Sequence, residues 1–139
     1  IKFKKYCGTD ISNKMISLCK EKFKNNKKTQ FYDLGKFRNK KKIPKYEFVL
    51  ASGIFNIKKK IPNKDWEKYF FKTLQFMFSN CTKGISFNVL TFDNTFKNPE
   101  NFYPKLDNLI KFCRKKLSKK IIINHSYNLW EYTVFIFKK

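Results

Sequence analysis

Apolar and polar positions come in blocks along this chain, and each block has a readable period. Residues 4–10 (KKYCGTD) make a short strand that stops on an acid. From 12 to 26 the spacing is helical, with Met15, Ile16, Cys19 and Phe23 on one face and Ser12 or Asn13 as cap. A second short strand is predicted at 29–34, ending at Asp33, followed by a polar loop over 36–45 in which Pro44 stops any helix. The unbroken run Phe48-Val49-Leu50-Ala51 within 46–56 predicts a parallel strand buried on both faces and broken at Ser52-Gly53. A long helix follows over 63–81, started by Asn63 or Asp65. Its inner stripe, Trp66, Tyr69, Phe70, Leu74, Met77 and Phe78, reads as core packing. Lys83-Gly84 is expected to turn the chain into a buried strand at 85–92. An irregular stretch over 93–103 leads to a helix from Pro104 to Lys116. Two apolar strands, 120–124 and 130–137, flank the tetrapeptide HSYN.

The last two strands fix one feature of the topology. About five residues separate them, whereas a parallel crossover needs a dozen or more. The final strand therefore runs antiparallel to its predecessor. Strand and helix alternate before it, which favours parallel pairing. The expected architecture is α/β: a doubly wound, mostly parallel sheet with an antiparallel C-terminal strand. No repeat or linker divides it, so residues 1–139 read as a single domain.

Composition narrows the class. At 139 residues with 42% hydrophobic positions and 17 Phe, the chain can bury a core, and disorder is excluded. No apolar run approaches the roughly 20 residues needed to span a bilayer, and no apolar h-region opens the chain. Cys7, Cys19, Cys81 and Cys113 form no C-x-x-C pair, and His125 is the single histidine, so no zinc or other metal site is expected. Free thiols in a reducing cytoplasm follow.

The formal net charge of +22 admits two readings. One is a non-catalytic basic module that binds RNA or membrane phosphates. The other is codon drift: Lys, Asn, Phe, Ile and Tyr, all served by A/T-rich codons, supply 81 of the 139 residues. Arginine, the residue suited to bidentate phosphate and guanine contacts, occurs only at 38 and 114. The lysines are dispersed rather than gathered in one arm. Nucleic acid is thus the alternative partner, and a small molecule the favoured one.

Candidate chemistry lies at strand ends. In open parallel sheets ligands bind at the carboxyl ends of strands, and Asp10, Asp33 and Ser52-Gly53 occupy such ends, roughly 20 residues apart. A strand-tip carboxylate can accept both hydrogen bonds of a ribose diol. Any one of these acids alone reads more often as a turn or helix cap; it is the three features in order that point to a nucleoside cofactor.

The segments YCGTDISNKMISLCKEKF, FYDL, YEFVLASGIFN, KGISFNVLT and HSYNLWEYTVFIFKK together resemble a class I S-adenosylmethionine-dependent methyltransferase of the small bacterial methyltransferase-domain type. The likeness covers essentially the whole chain from that family's second strand onward. It implies a Rossmann-like three-layer sandwich, S-adenosyl-L-methionine as cofactor, and methyl transfer to a small-molecule or saccharide-type acceptor. It further implies that Asp10, with Ile11 beside it, binds the ribose hydroxyls. Asp33 would lie by the adenine amino group, with Leu34 lending backbone and apolar contact. Ser52, Gly53, Ile54 and Phe55 would approach the methionine and methyl end. The family's glycine-rich turn is absent, so its first strand and glycine-rich loop are expected to precede Ile1, leaving a partial domain inactive alone. A nicotinamide-binding Rossmann domain also ends its second strand on an acid, but its corresponding last strand is normally parallel. No catalytic base is identified: a structural role in its turn is the favoured reading of His125, near Tyr127 and Glu131, and a general base the alternative.

Overall fold

The computed structural model describes residues 3–39, 43–93 and 95–139. They fall into two compact units, Ile1–Pro44 and Lys45–Lys139. The smaller unit contains β1 (Tyr6–Asp10), α1 (Asn13–Lys22), β2 (Thr29–Asp33) and α2 (Leu34–Arg38). Its two strands pair in parallel, in register from Tyr6↔Thr29 to Asp10↔Asp33. Ser12 caps α1 by accepting from the Met15 amide, and Lys20 and Lys22 sit in its last turn, where cations suit the helix dipole. Ile16 and Phe37 are its buried apolar side chains, and Phe23 stacks on Phe31 at 5.6 Å.

α2 corrects the loop expected over 36–45. Asp33 accepts a hydrogen bond from the Lys36 amide at 2.8 Å, and Phe37 turns inward. A cap and one buried ring suffice for a single helical turn within a polar stretch. Residues 40–42 of that loop lie outside the described residues.

The larger unit contains β3 (Tyr46–Ala51), α3 (Asn63–Ser79), β4 (Cys81–Leu90), α4 (Leu106–Lys116), β5 (Ile121–Asn124) and β6 (Glu131–Phe137). Its sheet has the order β3-β4-β6-β5. β3 and β4 are parallel, while β6 runs antiparallel to both β4 and β5. β6 alone is reversed, as the loop-length argument requires. The two sheets are separate among the described residues.

Alternation along β4 and β6 sends Ile85, Phe87, Val89, Tyr132, Val134 and Ile136 to one face, where all are buried. α3 and α4 cover that face with Phe70, Leu74, Met77, Leu109 and Cys113. Phe71 and Phe112 stack at 4.1 Å where the two helices meet. Phe70 is the hub of the aromatic core, touching Phe55, Phe71, Phe87 and Phe102 at ring separations of 4.8 to 5.8 Å.

Two expectations are corrected in this unit. β3 is not buried on both faces: Phe48 and Leu50 are 50% and 73% exposed, and Ile122 on β5 is 56% exposed. These residues belong to the sheet's second face, which α3 and α4 do not cover, and β3 is an edge strand. Nor does Lys83-Gly84 form a turn, because β4 runs unbroken from Cys81. Gly84 is needed for closeness instead: a Cβ there would meet the Ile136 carbonyl oxygen at 2.8 Å.

Among the described residues no helix is long and apolar enough to cross a membrane. All four cysteines are free thiols. Burial pushes the Cys113 thiol up to about 12, and raises Cys81 despite the opposing charge of Lys138. Thiolate is the reactive form, so a disulfide reagent at pH 8 should modify half-buried Cys7 and Cys19 first. Cys113 should react only after denaturation. Equal labelling rates at Cys7 and Cys113, read by peptide mass spectrometry, would contradict the closed core.

Candidate functional site

In the smaller unit the pairing register sets Asp10 and Asp33 side by side at the ends of adjacent parallel strands. Each carboxylate spends one oxygen on its own chain. Asp10 Oδ1 accepts from the Ser12 amide at 2.7 Å, and Asp33 Oδ1 accepts from the Lys36 amide at 2.8 Å. These bonds orient the groups and leave the second oxygen of each open to a donor. Asp10 is exposed and Asp33 half-buried, so both are within reach of a ligand. Ile11 is 82% exposed, and Leu34 is half-buried as the first residue of α2.

In the larger unit β3 ends at Ala51, and the chain turns at Ser52-Gly53. Gly53 has φ of +70°, a conformation L side chains rarely adopt, and a Cβ there would find no heavy atom within 4 Å. Its amide donates to Asn88 Oδ1 at 2.7 Å. Asn88 Nδ2 in turn donates to Glu131 Oε1 at 2.7 Å, and Asn56 Nδ2 donates to Glu131 Oε2 at 3.4 Å. The turn after β3 is thus tied to the carboxyl-terminal part of β4 and the start of β6. Asn56 Oδ1 is buried with no hydrogen-bond partner among the described residues. Past the turn, Ile54 remains 46% exposed while Phe55 enters the core.

Asn88 and Asn56 escaped the reading of the sequence, and Glu131 was read only as a neighbour of His125. Asn88 carried a signal, being a lone amide inside the apolar run ISFNVLTF. Asn56 and Glu131 carried none, since only the folded sheet joins them.

His125 lies in the β5–β6 turn, exposed, with its ring edge-on to Tyr132 at 6.3 Å. The neighbours suggested by sequence are engaged elsewhere. Tyr127 Oη shares a 2.7 Å hydrogen bond with Thr133 Oγ1, and Glu131 holds the two asparagines. Burial raises Tyr132 above the usual phenol range, with Asp93 and Cys113 adding to the effect, so it remains protonated at neutral pH. Among the described residues no three His, Cys, Asp or Glu side chains group as metal ligands would.

Each unit, taken by itself, offers one feature suited to part of an adenosyl cofactor. The paired strand-tip acids keep open oxygens, and the Gly53 turn presents backbone without a side chain in the way.

No protein-family model matches the chain. A Mycobacterium tuberculosis protein named "Putative methyltransferase Rv1506c" is 26% identical over 135 residues, covering 96% of this chain and 78% of that protein. Two crystal structures of magnesium protoporphyrin IX methyltransferase from Synechocystis, with bound S-adenosylmethionine and with bound S-adenosylhomocysteine, superpose with TM-scores of 0.61 and 0.66 at 13% and 11% identity. Each match covers 96% of this chain, which spans only 59% and 64% of those chains. An rRNA methylase structure from Clostridium thermocellum, itself described as putative, gives a TM-score of 0.56 at 13% identity, covering 96% of this chain and 72% of its own. With its strands in this order and its single reversed strand β6, the chain has the fold of these methyltransferase structures, and its sequence is similar to that of the mycobacterial protein.

Proposed function

We propose that the chain serves S-adenosylmethionine-dependent methyl transfer to a small-molecule or saccharide-type acceptor. The observation that carries the reading is the in-register pair Asp10↔Asp33 at two parallel strand ends, each acid oriented by a local amide and each with an oxygen to spare. In this assignment Asp10, flanked by Ile11, accepts the ribose hydroxyls, and Asp33 with Leu34 borders the adenine. In the other unit Ser52, Gly53 and Ile54 are assigned to the methionine end.

When bound, the cofactor supplies a sulfonium-activated methyl group. The chain's own work is then to bind, align and exclude water, which accounts for much of the acceleration when a reactive donor is already present. The Gly53–Asn88–Glu131 chain of hydrogen bonds suits that task, because it holds a side-chain-free turn in one conformation. His125 remains the candidate base for acceptors that must lose a proton. Residues 1–139 are read as one methyltransferase domain.

Calorimetric titration of the chain with S-adenosylhomocysteine tests the reading directly. Saturable binding with one site per chain is expected. Absence of binding, together with salt-resistant, sequence-selective RNA binding, would favour the basic-module alternative.

A further inference from the structure

We infer that the larger unit holds a second binding place: a cleft for a small organic phosphate that carries a ring. The cleft, of about 420 Å3, is formed by the loop after β4 together with the first turns of α3 and α4. Lys64, Lys97 and Lys105 line it, and Glu67 is its one acid. The volume lies in the range of small-molecule sites.

Charge decides the ligand class. Lys97 Nζ sits 3.7 Å from the centroid of Phe92, and Lys105 Nζ sits 5.7 Å from the same centroid. One ring therefore gathers two ammonium groups, and among the described residues none of the three lysines forms an ion pair. Two ammonium groups beside one ring, neither ion-paired among the described residues, favour a ligand of double negative charge. A phosphate monoester carries nearly that charge at neutral pH. Both helices that open onto the cleft add to the effect. Neither α3 nor α4 has a side-chain hydrogen bond at its N-cap. In α3 the Asp65 amide is taken by the Pro62 carbonyl, which leaves the Asn63 and Lys64 amides for an anion, against the opposing charges of Asp65 and Asp107 in the two first turns.

The cleft is also more than a basic patch. Phe92 and Tyr103 give it an apolar wall suited to a ring. Its rim is braced: the Lys58 and Lys59 amides donate to the Glu100 carbonyl at 2.8 and 3.0 Å, and the Phe102 amide donates to the Asn56 carbonyl at 2.9 Å. Those bonds tie the loop after β3 to the loop after β4. The cleft therefore opens at the carboxyl end of the parallel pair, the end that also carries Gly53. As a methyl-acceptor site it rests on the methyltransferase reading, whereas as an anion site it stands on the cleft alone.

The test titrates the full chain with phenyl phosphate in about 0.15 M salt, where distant surface charges are largely screened. Lys97→Glu combined with Lys105→Glu is expected to weaken binding at least tenfold. Lys115→Glu with Lys116→Glu, an equal charge change at the far end of α4, should weaken it no more than about twofold by screening. Equal losses from both pairs would overturn the cleft. Inorganic phosphate bound as tightly as phenyl phosphate would overturn the ring requirement. Single-stranded RNA bound more tightly than phenyl phosphate, and lost with the Lys97/Lys105 pair, would make the surface a polyanion interface and reject the proposal. S-adenosylhomocysteine binding, read on the same samples, separates the two ideas. Phenyl phosphate bound without it keeps the cleft and rejects the methyl-donor reading, and the converse rejects the cleft.

Discussion

Truncating Phe70 to alanine is expected to destabilise the larger unit by about 3–5 kcal/mol, the range for deleting a fully buried phenyl group. Phe70 has no exposed surface, and four other rings pack against it. Removing it leaves a cavity bordered by α3, β4 and the loop before α4. That cavity cannot close without moving Phe55 or Phe102, which are themselves buried and pinned by neighbouring backbone. Trp66 offers the probe, since its indole N–H donates to the Phe55 carbonyl at 2.9 Å and its ring lies beside the core. Urea titration followed by tryptophan fluorescence should show a lower midpoint with little change in slope. A loss below about 1 kcal/mol would mean that the aromatic cluster is not close-packed.

The second large effect concerns ligand affinity. Asp10→Ala is expected to weaken S-adenosylhomocysteine by about 1.5–3 kcal/mol, the value of hydrogen bonds to a charged group, or roughly one to two powers of ten in Kd. The alanine variant also releases the Ser12 amide, so Asp10→Asn is the needed companion. It keeps an oxygen for Ser12 but loses the charge and one acceptor. An asparagine variant that binds nearly as poorly as alanine would place the loss in the ligand contact. Asp33→Ala should weaken affinity less, because water can replace one adenine contact. It should instead cost about 1 kcal/mol of stability through the lost α2 cap. Unchanged affinity in both Asp10 variants would remove the ribose assignment.

Much of the fold could be read without coordinates because its signals are local. The helical stripe from Trp66 to Phe78, the strand ends at Asp10 and Asp33, and the short final turn each lie within one sequence window. The antiparallel β6 followed from loop length alone. What escaped depends on distant partners. Gly84 looked like a turn residue because its requirement comes from Ile136, more than 50 residues away. The run Phe48–Ala51 looked buried because an edge strand and an interior strand share the same composition. Asp33 was read as a ligand residue or a cap, but the helix it caps depended on Phe37 turning inward, which the charged residues around it obscured. At the candidate site the acids were legible as strand punctuation. The support beneath Gly53 was not, since Asn88 and Glu131 meet it only through the register of β4 with β6.

The uncovered face of the larger sheet also governs how the chain behaves in concentrated solution. Phe48, Leu50 and Ile122 offer attraction of short range, whereas the charge of +22 offers repulsion of long range. Dissolved salt acts on these unequally. At about 0.15 M the electrostatic reach shrinks to about 8 Å, while apolar contact is untouched or, with sulfate, strengthened. Colloidal stability should therefore fall as salt rises, opposite to ordinary salting-in. The osmotic second virial coefficient from static light scattering should pass from positive to negative between low salt and physiological salt, sooner in sulfate than in chloride. Leu50→Lys should keep it positive to higher salt, by adding a charge and removing part of the adhesive surface together.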